Sequence, residues 1–211
     1  MPIRLVILDV DGVIKEEPDP YTLLHRHFGT EAEGARYLAA FLAGAIDYER
    51  FAQLDAGAWR GRSVAEARAV LRRNPYVAGA HELAAGLHRR GIPFILLSSG
   101  FDLHVDDVAA DLGAAEAHCN LLHHDGERLL GTMTVRVPWG GKGPIVETIL
   151  RCWRVDPAEC LSVGDSTADI PTFRQVGYGV AVRPRHPDVV QAAALTLPDL
   201  QGLLAFVDRC P

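Results

Sequence analysis

No segment of this 211-residue sequence runs for the roughly 18 uninterrupted apolar residues that a membrane-spanning helix needs. A surplus of positive charge is missing too. Lys and Arg number 21 against 27 Asp and Glu, a net charge of −6, with no clustered basic face of the kind nucleic acid requires. The four cysteines, Cys119, Cys152, Cys160 and Cys210, form neither a C-x-x-C pair nor a dense framework, so reduced thiols with packing roles are expected. Repeats, low-complexity tracts and charge blocks are absent. The opening residues MPIRLVILDVDGVI are apolar only briefly before they meet two aspartates, which fits neither a leader nor a span. These absences predict a soluble, cytoplasmic protein with no nucleic-acid or membrane partner; a monomer or homodimer is expected, a choice that the sequence leaves open.

What is present is 48% apolar residues, enough for one sizeable core and a small accessory unit. Ile3 to Leu8 is a continuous run rich in branched residues, the pattern of a strand buried on both faces in a parallel sheet. Similar runs recur at Phe94 to Leu97, Leu161 to Val163 and Tyr178 to Val182. Helical periodicity separates them, which predicts an α/β fold with a doubly wound, Rossmann-like parallel sheet. Between them, helical segments are expected at Tyr21 to Phe28, Glu31 to Ala43, Tyr48 to Trp59 and Ser63 to Arg73, with Asp47 and Ser63 as N-caps. With no strand run inside it, this stretch is expected to be a helical cap over residues 15–75, inserted after the first strand into an α/β core of residues 1–14 and 76–211. Asp125-Gly126 between alternating runs signals a hairpin within Asn120 to Pro138.

Four places carry chemistry. Asp9 and Asp11 close the first strand, where period-two geometry sends both side chains to one side. One carboxylate can attack or bind metal while the other exchanges protons; alone, the pair reads equally well as a turn and a helix cap. Ser98-Ser99-Gly100 ends the second strand just before a helix, a place for a phosphate cradle or for ordinary N-caps. Lys142, inside Gly140-Gly141-Lys142-Gly143-Pro144, can neutralise a phosphate and a carboxylate, or can be a solvated lysine. Gly164-Asp165-Ser166-Thr167-Ala168-Asp169 sets two carboxylates at a strand end, the hard oxygen ligands that Mg²⁺ takes. All four fall at the carboxyl ends of predicted strands or at the following helix starts, the edge where open α/β sheets bind ligands.

In order and spacing, these motifs resemble the haloacid dehalogenase superfamily, over nearly the whole core. The second aspartate, Asp11, is similar to that of its phosphatases and phosphotransferases. The resemblance implies that Asp9 is a nucleophile that forms a phosphoaspartate, that Asp11 is the proton carrier, and that Ser98 and Lys142 hold phosphoryl oxygens. It further implies Mg²⁺ on Asp9, the Asp11 backbone carbonyl and Asp165, with Asp169 in support, and a small phosphorylated metabolite as substrate. The cap, Ile46-Asp47-Tyr48-Glu49 and Ser98-Ser99-Gly100-Phe101-Asp102 resemble the phosphoserine phosphatase branch, which adds Ser99, Gly100 and Glu16 or Glu17 as substrate-binding positions. The chain departs from that branch at Gly12, where a small hydroxyl residue is usual, and at Asp55, which aligns with a substrate-binding arginine. A sugar-phosphate mutase and a non-catalytic phosphometabolite sensor are the rival functions. His118, Cys119, His123 and His124 sit on the hairpin without a recognised zinc spacing, and the cap arginines read as a solvated face.

Overall fold

The computed structural model describes residues 2–210. Seven strands form one sheet: β1 (Leu5–Leu8), β2 (Phe94–Phe101), β3 (Glu116–His124), β4 (Leu129–Thr134), β5 (Cys160–Gly164), β6 (Tyr178–Val182) and β7 (Leu195–Leu197). Their order is β4-β3-β2-β1-β5-β6-β7. Every pairing is parallel except β3 with β4, which form the hairpin that Asp125 closes by accepting from the backbone N–H groups of Glu127 and Arg128.

Alternation along each strand divides the core into two layers. Val6 and Leu8 face the cluster that includes Leu83 and Leu87 of α5 (Ala80–Arg89), Val105 and Val108 of α6 (Asp102–Leu112) and Leu203 of α10 (Leu203–Val207). Leu5 and Ile7 face Val146 and Ile149 of α7 (Lys142–Trp153). Further along, Ala181 of β6 meets Phe173 of α8 (Ile170–Phe173) and Val189 of α9 (Pro187–Ala192). Helices therefore cover both faces, the condition under which a parallel strand reads as a continuous apolar run.

Four helices fill the stretch between β1 and α5: α1 (Pro20–Phe28), α2 (Glu31–Leu42), α3 (Tyr48–Ala58) and α4 (Val64–Arg73). Their starts follow local chemistry. The side chains of Asp19, Asp47 and Ser63 accept from backbone N–H groups in the first turns of α1, α3 and α4, each satisfying a donor the helix leaves free. Trp59, fully buried, packs with Tyr21, Phe101, Leu122 and Met133, so the insert shares its core with the end of β2 and with the hairpin. That support was not visible in the apolar pattern.

The sheet order reverses around β1, with β2 on one side and β5 on the other. Ligands of open α/β sheets bind in the crevice at such a switch point. Asp9 follows β1 and Asp165 follows β5, and the Asp9 N–H donates to the Val163 carbonyl at 3.0 Å, which holds the two strand ends together.

Candidate active site

Beyond Leu8 the chain leaves extended geometry: the N–H groups of Ile14 and Lys15 both bond the Val10 carbonyl. Gly12 makes this turn possible. Its φ is +89°, and a Cβ there would lie 2.3 Å from Asp165 Oδ2, so the departure from a hydroxyl residue matches a site where no side chain fits. The carboxylates of Asp9 and Asp11 open onto one cavity but serve different partners. Asp9 Oδ1 accepts from Lys142 Nζ at 2.8 Å, whereas Asp11 Oδ2 accepts from Ser98 Oγ at 2.9 Å and Asp11 Oδ1 lies 2.9 Å from His104 Nε2.

Lys142 is the first residue of α7 and its side chain is only 3% exposed. Its ammonium also reaches Asp169 Oδ1 at 2.6 Å. The other oxygen of Asp169 accepts from the backbone N–H groups of Asp165 and Ser166 and from the Ser166 hydroxyl, each at 3.1 Å. Asp169 thus braces the loop after β5 and orients the lysine. Asp165 Oδ2 pairs with Arg185 Nε at 2.7 Å, while its Oδ1 is buried with no hydrogen-bond partner.

One carboxylate oxygen each from Asp9, Asp165 and Asp169 lies within 4.8 Å of the others. So many buried acids cannot all hold charge cheaply. Burial first, then Asp169, Asp165 and Asp11, pushes Asp9 well above the ordinary carboxylate range against the pull of Lys142. Burial and Asp169 push Asp165 up to about 7, against Arg185 and Lys142. Burial by itself would lower Lys142, but Asp169 and Asp9 outweigh it and hold the ammonium above its usual range. All three directions express one imbalance: Asp9, Asp11, Asp165 and Asp169 stand against Lys142 and Arg185, and the site is short of positive charge.

Ser98, Ser99 and Gly100 line the same cavity. The Gly100 N–H donates to Ser98 Oγ at 2.8 Å, and Ser99 Oγ is buried without a partner. Glu16 and Glu17 are not brought there. Glu16 pairs with Arg183 at 2.6 Å, the Glu17 N–H bonds Asn74, and both line a separate hollow beside Arg73, because the turn after Gly12 carries them away from the β1 end. The acidic residue of this stretch that does line the cavity is Asp19. Asp55 is elsewhere, buried within the insert, 2.9 Å from His25 Nε2. On the hairpin, His118 meets Glu116 and His123 meets Thr132 and Thr134.

Sequence reasoning passed over three site residues. Arg185 lies just past the carboxyl end of β6, where the rule that located the other motifs applies equally. His104 is in the first turn of α6, and Asp19 caps α1.

A family model for haloacid dehalogenase-like hydrolases matches residues 6–174. The chain belongs to the haloacid dehalogenase-like hydrolase family. Among curated proteins, this family member is 30% identical to a phosphoserine phosphatase of Streptomyces coelicolor over 95% of this chain but 49% of that protein. It is 24% identical to a phosphoserine phosphatase of Methanocaldococcus jannaschii over 97% of both chains. A phosphoserine phosphatase solved as an analogue of its phospho-aspartyl intermediate superposes with a TM-score of 0.84 at 22% identity, covering 98% of this chain and 99% of the other, which establishes the shared fold. Within the family, the chain is an enzyme of the phosphatase type.

Proposed function

We propose that this phosphatase is a magnesium-dependent phosphomonoester hydrolase in which Asp9 is transiently phosphorylated, acting on a small phosphorylated metabolite. The observation that carries the reading is the bridge of Lys142 between Asp9 and Asp169, beside the unpartnered Asp165 Oδ1. A buried acceptor with no donor in a cluster short of cations fits a hard divalent ion. Asp9, Asp165 and the backbone carbonyl of Asp11 would hold Mg²⁺, with Asp169 in support. When bound, the ion supplies charge neutralisation and Lewis acidity at a phosphoryl oxygen.

The chain's own residues do the rest. An oxygen of Asp9 attacks phosphorus, and the bond to the ester oxygen breaks. Asp11 gives its proton to the departing alkoxide, then takes one from the water that attacks the phosphoaspartate, freeing phosphate and restoring Asp9. Ser98, expected on a phosphoryl oxygen, donates instead to Asp11, and with His104 it fixes that carboxyl from its two oxygens. Lys142 and the unpartnered Ser99 hydroxyl cradle phosphoryl oxygens; the Gly100 N–H, held by Ser98 Oγ, does not. Residues 15–75 act as a cap over this rim, with Asp19 rather than Glu16 or Glu17 meeting the leaving group. The enzyme works in the cytoplasm, as a monomer or homodimer. Phosphoserine, the substrate in the names of its relatives, is one member of the substrate class.

The test is phosphate release from a panel of phosphorylated amino acids, sugars and nucleotides. Chelation of divalent ions and Asp9→Asn are each expected to abolish release, and Asp11→Asn to slow it by about 10²- to 10⁴-fold. Substantial turnover by Asp9→Asn would contradict the reading.

A further inference from the structure

The cavity above Asp9, about 220 Å³, has two unlike ends. Its inner end is the charged rim. Its outer end is walled by Leu38, Phe41 and Leu42 of α2, Phe51 of α3, and Trp139 from the loop before α7. Phe41 stacks on Phe51 with centroids 5.3 Å apart. Leu38, Leu42 and Trp139 are 39%, 74% and 44% exposed, and they make up three of the five large hydrophobic side chains exposed among the described residues. Helix α2 fully buries only Gly34, so its apolar face is turned to the cavity rather than used in the core. Scattered exposed hydrophobics need no explanation, but a cluster continuous with a polar site marks where a ligand sits.

Charge narrows what that ligand can be. The insert supplies no cation to the cavity. Arg62 donates to the Phe28 carbonyl, and Arg68 and Arg72 hold Asp107. Lys142 and Arg185 are engaged by carboxylates at the rim. The hydroxyls of Tyr21 and Tyr48 are spent on the Ser99 carbonyl at 3.1 and 2.8 Å. The insert's only charged group in the lining is Asp19, which repels a carboxylate.

We infer that the preferred substrates are phosphomonoesters whose leaving alcohol has an apolar, carboxylate-free body, seated between the α2 face and Trp139. This inference rests on the phosphatase reading above and narrows its substrate class. A phosphorylated α-amino acid can set its ammonium against Asp19, but its carboxylate then meets apolar walls with no cation from the insert to receive it.

Two primary alkyl esters test it, 2-phenylethyl phosphate and O-phosphoserine, assayed with Mg²⁺ on the full chain. The expected result is a kcat/KM for the phenylethyl ester at least about tenfold higher, the scale on which apolar pockets discriminate. The double variant Leu38→Gln, Leu42→Gln makes two solvent-exposed positions polar without adding charge and should fold. It is expected to cut kcat/KM for the phenylethyl ester more deeply than for O-phosphoserine, shrinking the ratio. A preference for O-phosphoserine, or a ratio that the double variant leaves unchanged, would overturn the inference while the phosphatase reading stands. Turnover of neither ester would overturn the inference alone; the phosphatase reading falls with it only if no member of the wider panel releases phosphate.

Discussion

The carboxyl edge of the sheet and the α2–α3 face of the helical insert look at each other across one cavity, yet the edge buries charge and the face presents almost none. At the edge, Asp9, Asp165, Asp169 and Lys142 are all at least 90% out of solvent; Lys142 bridges Asp9 and Asp169, and Asp165 pairs with Arg185. On the insert side, the buried ionisable pair, His25 and Asp55, is turned into the helices, and hydrocarbon and aromatic rings face the cavity. In the proposed function the edge meets the phosphoryl group that all substrates share, and the insert meets the leaving group.

That contrast can be broken first at the edge. Lys142→Met removes a single cation from between two carboxylates; it is expected to slow turnover by about 10²- to 10³-fold. It is also expected to destabilise the metal-free protein by about 3 kcal/mol or more, because breaking a buried pair strands its partners. Urea denaturation in a chelator checks the second figure, and an unchanged midpoint would show that the lysine does not balance the acids.

A smaller effect concerns pH. Asp9 and Asp165 are raised above the ordinary carboxyl value of 3.8, so between that value and about 7 the native state binds more protons than the unfolded chain. Stability of the metal-free protein then falls as pH rises through this window. Melting temperature in EDTA should drop from pH 5 to pH 8, and Asp165→Asn should flatten the drop. Added Mg²⁺ should raise the melting temperature more at pH 8 than at pH 5, since binding must displace protons at the lower pH. The smallest expected effect is in the insert: Ser63→Ala, which removes the α4 cap, should cost about 1 kcal/mol and leave the edge chemistry untouched.

The same contrast explains what could be read from the residues alone. Edge chemistry demands particular residue types at strand ends, so Asp9, Asp11, Ser98, Lys142, Asp165 and Asp169 stand out from an apolar background, and the strands that carry them are legible with them. Less came through where geometry depends on distant partners. Strand β7 has only three residues, too few for periodicity, and the first residues of β3, Glu116 to Cys119, carry no apolar run although they pair with β2. Leu38, Phe41 and Leu42 have the spacing of a core-facing helix stripe, and only the packed structure reveals that this stripe faces the cavity. The direction of Glu16 and Glu17 is not legible from strand period, because the hydrogen-bonded turn from Val10 to Lys15 lies between them and the end of β1.

Phosphorylation of Asp9 is open to direct chemical trapping. Borohydride added during turnover of a phosphomonoester with Mg²⁺ reduces an aspartyl phosphate to homoserine, which peptide mass mapping locates. Homoserine is expected at position 9 of the unaltered enzyme and not in Asp9→Asn. Conversion at another aspartate, or no conversion at position 9 while trapping captures a phosphorylated residue elsewhere, would contradict it.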